Sequence, residues 1–278
     1  LVRPPNRISS FSFAVSVAKK ALIPSNIFPI PPKRSRTAFF IISSNENWSY
    51  DWSEYCIFTP QTKSELEIAI DLWVDDNSLA METYGEINNW DVSFINDMSM
   101  VFIDKDSFND DIGNWDVSNV TNMMGMFYGA SSFNQDLFNW DVSSVTDISR
   151  MFEDAENFNG DISSWDVSNV QNMEMTFRMA TAFNQDLSSW NVSNVSNMKL
   201  AFEDASNFEG DISAWDVSNV SYRTNIFIGA HALSDENKCA IHTSWSSNDD
   251  WPYDWSDLCV TTVISPLSYT HLRAHETE

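Results

Sequence analysis

Glycine is scarce in this chain, seven residues in 278. That leaves no glycine loop to cradle phosphate, and neither H-E-x-x-H nor G-x-S-x-G occurs. It is also far too little for the Gly-rich nonapeptide of calcium-binding β-helices. Histidine is rarer, four residues, and only His231 and His242 lie outside the dissimilar end segment. There are three cysteines, and no run approaches the roughly 18 apolar residues of a membrane span. Basic residues are few, 15 Lys and Arg against 40 Asp and Glu, for a net charge of −25. Seven of the 15 fall in residues 1–42, which hold no acid, leaving eight against forty in the remainder. A body so acidic repels nucleic acid and anionic membranes.

Aromatics are plentiful instead. Trp90, Trp115, Trp140, Trp165, Trp190 and Trp215 are spaced 25 residues apart without insertion or deletion. A fixed period of this size marks a stacked repeat. Counting from each Trp as zero, position 2 is always Val and position 3 always Ser. Position 12 is always Phe (Phe102, Phe127, Phe152, Phe177, Phe202, Phe227). Position 18 is Phe108, Phe133, Phe158, Phe183 and Phe208, closed by Leu233. One repeat cannot bury its own Trp, Val and Phe. Burial of one large aromatic contributes roughly 2–3 kcal/mol, so these columns are assigned to a core shared between repeats, as are the Met positions.

Apolar positions 8, 11, 12 and 15 (Met123, Met126, Phe127 and Ala130 in the second repeat) form the i, i+3, i+4, i+7 stripe of a short helix. Asp97, Asn122, Asp147, Asn172 and Asn197 stand just before it as N-cap candidates. Tyr222 and Arg223 break the stripe in the last copy. A short strand is expected around Ile112, Leu137, Ile162, Leu187 and Ile212, stacking into a parallel sheet at about 4.8 Å. The expected fold is an α/β repeat solenoid of 25-residue coils, with short parallel strands on one side and short helices on the other.

The boundaries follow. Residues 1–42 read as an unstructured leader or read-through, and 43–63 as a cap-like motif and linker. Residues 64–89 are a lead-in helix and N-terminal cap, 90–232 the six repeats, and 233–260 a C-terminal cap. Residues 261–278 read as a non-native or disordered tail, with "SPLSYTHLRAHETE" resembling a translated cloning adaptor. "SSNENWSYDWSEYC" before the array echoes "SSNDDWPYDWSDLC" after it. A cap motif ahead of the first repeat leads us to expect a monomeric array within a longer chain of tandem arrays.

With these motifs, "WDVSNVTNMMGMFYGASSFNQDL" from Trp115 and its sister copies, the sequence resembles the BspA-type leucine-rich repeat surface proteins, also described as a Mycoplasma-type or DUF285 repeat. The resemblance spans roughly residues 64–260. It implies a leucine-rich-repeat-like stack on a cell surface or secreted, with adhesion or protein binding as its role and no catalytic residues.

Two acidic columns are the chemical candidates: Asp91, Asp116, Asp141, Asp166, Asn191 and Asp216, and Asp111, Asp136, Asp161, Asp186 and Asp211. Like charges stacked at 4.8 Å repel by roughly 0.9 kcal/mol per pair even in water. Hydrogen bonds from turn N–H groups would compensate. So would Ca²⁺ between coils, for which Asp111, Asp136, Asp161, Asp186 and Asp211 are the candidates. A glycosidase needs two unequal carboxylates in a cleft, whereas a ladder supplies equal ones on a surface. Cys239 and Cys259 flank the exit cap and are expected to pair, with Cys56 left over. Sequons at Asn47, Asn119, Asn191, Asn194 and Asn219 favour an extracellular or surface setting. The expected function is a non-catalytic module that binds an unknown protein or glycan, without cofactor. A structural spacer or calcium-stabilised stack is the alternative, with a polysaccharide-active fragment ranked below both.

Overall fold

The structure is a computed structural model and describes residues 57–248 and 251–263. The chain divides at Pro32, and every described residue belongs to Lys33–Glu278. The expected leader, most of the cap-like motif, Cys56 and Asn47, and residues 264–278 of the expected tail lie outside the described residues.

Helix α1 (Lys63–Asp75) begins where Thr62 accepts the Glu65 N–H. It buries Leu66, Ala69, Ile70 and Trp73, an i, i+3, i+4, i+7 face. Helix α2 (Asn77–Tyr84) follows at once, with Asp76 capping through the Leu79 N–H. A 3-10 turn (Ile87–Asn89) delivers the first Trp. After the repeats, α3 (Asp235–Trp245) starts at Ser234, which accepts the Asn237 N–H, and the 3-10 segment Ser256–Val263 ends the described chain.

Between Trp90 and Leu233 the described residues form neither helix nor named strand, and the expected α/β solenoid is therefore corrected. The repeats stack, but their backbone is a succession of turns. Five isolated parallel bridges join them, from Asp97–Asn122 through Asn197–Tyr222.

The helix fails for a conformational reason. Position 10 is left-handed in every repeat: Met100, Gly125, Arg150, Met175, Leu200 and Asn225, at φ 58° or 59°. Position 14 is left-handed as well, at Asp104, Gly129, Asp154, Met179, Asp204 and Gly229. A right-handed helix cannot pass through such residues. Backbone N–H groups at positions 8, 10, 12 and 14 instead cross to the next repeat. In the second repeat Met123 donates to the Asp147 carbonyl (2.9 Å), Gly125 to Ser149, Phe127 to Met151, and Gly129 to Glu153 (each 2.8 Å). The intervening N–H groups close tight turns, Met126 to Met123 and Tyr128 to Gly125, each 3.1 Å.

The N-cap candidates keep their chemistry without the helix. The side chains of Asp97, Asn122, Asp147, Asn172 and Asn197 each accept the N–H two residues on, at 2.8–3.2 Å. The expected strand is replaced too. The carbonyls of Ile112, Leu137, Ile162 and Leu187 accept the indole N–H of Trp140, Trp165, Trp190 and Trp215 at 2.9–3.3 Å. A side chain takes the place of a strand partner there.

The core is a set of aromatic columns. The six repeat indoles are 2–4% exposed. Trp140 and Trp165 lie parallel with centroids 6.4 Å apart, and Trp165–Trp190 and Trp190–Trp215 repeat this at 6.2 and 6.3 Å. The position-12 Phe rings stack from Phe102 to Phe227 at 5.2–5.8 Å. Such separations are offset stacks, which the ring quadrupole favours over face-to-face overlap. Trp245, carried on α3, lies 6.4 Å from Trp215 and extends the indole column beyond the last repeat.

Candidate functional site

Positions 7 to 14 form the hydrogen-bonded ladder between repeats, and this face varies most in chemistry from coil to coil. Position 10 runs Met, Gly, Arg, Met, Leu, Asn, and position 13 runs Ile103, Tyr128, Glu153, Arg178, Glu203, Ile228. Met100, Tyr222 and Ile228 are exposed apolar or aromatic side chains on it.

An ion-paired row lies at its centre. Glu153 is 2% exposed and accepts from Arg150 at 2.9 Å and Arg178 at 2.7 Å. Arg178 reaches on to Glu203 at 2.6 Å, so a Glu–Arg–Glu column crosses three repeats. Hydrogen bonds from Arg178 to Glu203 and then Glu153 raise the guanidinium pKa further, against its partial burial. Beside it Lys199 lies 3.5 Å from Glu174. Sequence reasoning passed over this row. Its signal was opposite charge at one position in successive repeats, Glu153, Arg178 and Glu203.

The calcium candidates are engaged in turns. Asp111 accepts from the Gly113 N–H and the Asn88 amide, both at 2.8 Å. Asp136 accepts the Asp161 N–H of the next repeat at 2.9 Å. Asp161 accepts both the N–H and hydroxyl of Ser163, Asp186 the Ser188 N–H, and Asp211 the Ser213 N–H. Among the described residues no group of three or more His, Cys, Asp or Glu side chains is placed to hold a metal ion. In the other column the serine two residues on, its hydroxyl first and its N–H second, holds Asp166 and Asp216 below the usual carboxylate range. Asp186 is lowered by Ser188 in the same way.

A shallow polar groove is lined by Asn169, Gln171, Asn194 and Ser196. The Asn169 and Asn194 amides donate to the Ser143 and Ser168 carbonyls of the preceding repeat, both at 2.7 Å. At the exit cap a disulfide joins Cys239 to Cys259, and His242 accepts the Trp251 indole N–H at 3.1 Å. Tyr253 places its hydroxyl 2.8 Å from the Phe227 N–H, where a further coil would offer a carbonyl, and burial raises its pKa.

The family model described as "Mycoplasma protein of unknown function, DUF285" matches residues 74–181 and again 159–248. The match carries that family and not the leucine-rich-repeat label. No curated protein and no solved structure matches the chain. No helix among the described residues is long and apolar enough to cross a membrane.

Proposed function

The chain belongs to the DUF285 family, and on that footing we propose that it is a non-catalytic repeat module that binds a protein or glycan, at a cell surface or in secreted form. The observation that carries this reading is the division of labour between columns. Trp, Val and Phe positions repeat without change, whereas the ladder face changes chemistry at every coil. Stacking draws on the constant Trp, Val and Phe columns, whereas exposed side chains that differ between coils suit recognition of one partner. Met, Tyr and Arg, which this face carries, are enriched at protein interfaces. The resemblance to BspA-type surface repeats and the sequons support the surface setting.

A glycan array and a panel of extracellular-matrix proteins, probed with the full chain, test the proposal. Binding is expected to fall at least tenfold in Arg150→Glu/Lys199→Glu and to persist in Asp136→Asn. No bound glycan or protein, or equal loss in both variants, would overturn it. A spacer is the second reading. It is favoured by the exposed Asn119, Asn169, Asn194 and Asn219 amides, all committed to carbonyls of the preceding repeat.

A further inference from the structure

The six repeats are of two kinds. Position 20 is Gln in the second and fourth (Gln135, Gln185) and Gly in the third and fifth (Gly160, Gly210). Position 22 alternates in step: Ile112, Leu137, Ile162, Leu187, Ile212. Position 14 is Asp in every odd repeat (Asp104, Asp154, Asp204) and Gly129, Met179 or Gly229 in the even ones.

These alternations meet across the junctions. From an odd repeat to the even one after it, the Gln side chain reaches back in the first two pairs; in the third, position 20 is Asp235, and the Asn237 amide donates to the Glu209 carbonyl. The Gln135 amide donates to the Asn109 carbonyl at 2.8 Å and its Oδ1 at 3.0 Å. Gln185 does the same to Asn159, at 2.7 and 3.1 Å. At the same kind of junction Asp104 leans over Gly129, where an added Cβ would lie 2.5 Å from its carboxylate, and Asp204 crowds Gly229 more closely still. In the middle pair, where Met179 replaces that glycine, the Glu153–Arg178 ion pair lies one position earlier. From an even repeat to the next odd one position 20 is Gly and the clasp is absent. Arg178 meets Glu203 at 2.6 Å there, and a Cβ at Gly210 would lie 3.7 Å from the Gln185 carbonyl oxygen. A Cβ at Gly160 would overlap the Gln135 carbonyl oxygen.

We infer that the unit of this fold is a pair of coils, an odd repeat clasped by the even repeat after it, so that coils can be lost or gained in twos and not singly. Removing one coil sets like against like. Without residues 165–189, Glu153 faces Glu203, Asp154 faces Asp204, and Asn159 loses its Gln185 clasp. Removing two coils, 140–189, restores the alternation: Gln135 meets Gly210 as it now meets Gly160, and Tyr128 meets Glu203 as it now meets Glu153, with Glu203 giving up its Arg178 partner.

For an array of equivalent repeats, stability falls with each coil removed, because it sums repeat and neighbour contributions. The pair rule gives the opposite order. Both deletions are made in the full chain and melted by circular dichroism. The chain lacking 140–189 is expected to unfold in one sharp transition at or above the midpoint of the chain lacking 165–189, or to fold when the latter does not. A ranking by length alone, or failure of the 140–189 deletion to fold, overturns the inference.

Discussion

Glu153 and Arg178 stand one full repeat apart in sequence and 2.7 Å apart in space, with the carboxylate almost wholly buried. This contact and its continuation to Glu203 tie three coils together on the face where the coils differ most.

Removing Glu153 takes a buried partner from both Arg150 and Arg178, while Arg178 keeps Glu203. Glu153→Ala is expected to cost about 3 kcal/mol, the lower end for a broken buried pair, since Arg178 keeps some water. The urea midpoint at pH 7 measures it. A loss no greater than that of an exposed pair, Lys199→Ala beside Glu174, would show the row to be incidental.

The indole column separates packing from hydrogen bonding. Trp165→Phe keeps a ring in the stack but removes the N–H that meets the Leu137 carbonyl at 3.0 Å. Its expected cost is about 1 kcal/mol plus the lost ring area. Trp165→Ala should cost about 4 kcal/mol. Equal costs in denaturant titrations would mean that the ring does not pack as described.

Met175 tests the left-handed backbone directly, at φ 58°. In an ordinary position glycine is less stable than alanine by roughly 0.5–1 kcal/mol. At Met175 the order should invert, because left-handed geometry penalises a Cβ by about 1–2 kcal/mol. Met175→Gly is therefore expected to melt above Met175→Ala, and the reverse order would refute the turn.

Acid should unfold the array through its Asx turns. Asp166, Asp186 and Asp216 have folded pKa values below the usual range, held there by the serines that follow. A depressed carboxylate contributes stability that is complete above the unfolded value, about 3.9, and is lost as pH falls through the folded one. Stability should thus decline from about pH 4 downward. The Asp→Asn triple variant keeps the acceptor but flattens this limb. An unchanged slope in the variant would assign acid unfolding to other groups.

Chelation is expected to leave the thermal midpoint unchanged. The oxygens of Asp111, Asp136, Asp161, Asp186 and Asp211 already accept N–H groups. A midpoint that falls with EDTA and returns with Ca²⁺ would assign them to a metal instead.

What a reader of the sequence can obtain here is the pattern of burial. Positions 0, 2, 8, 12, 18 and 22 are apolar in nearly every copy, and desolvating them is the largest favourable contribution to the stack. The path of the backbone is not legible in the same way. The stripe at Met123, Met126, Phe127 and Ala130 suits a helix and a ladder of turns equally, since either brings those side chains to one side. Left-handed sites usually announce themselves as glycine, but Met100, Arg150, Met175 and Leu200 occupy them with full side chains. Only neighbouring coils make that tolerable, because every second N–H released from a helix finds a carbonyl 24 residues away and those between close tight turns. The Glu153–Arg178–Glu203 row likewise existed as letters in one column. Tertiary stacking made it a chain of ion pairs, because only stacking places position 13 of one coil against position 13 of the next.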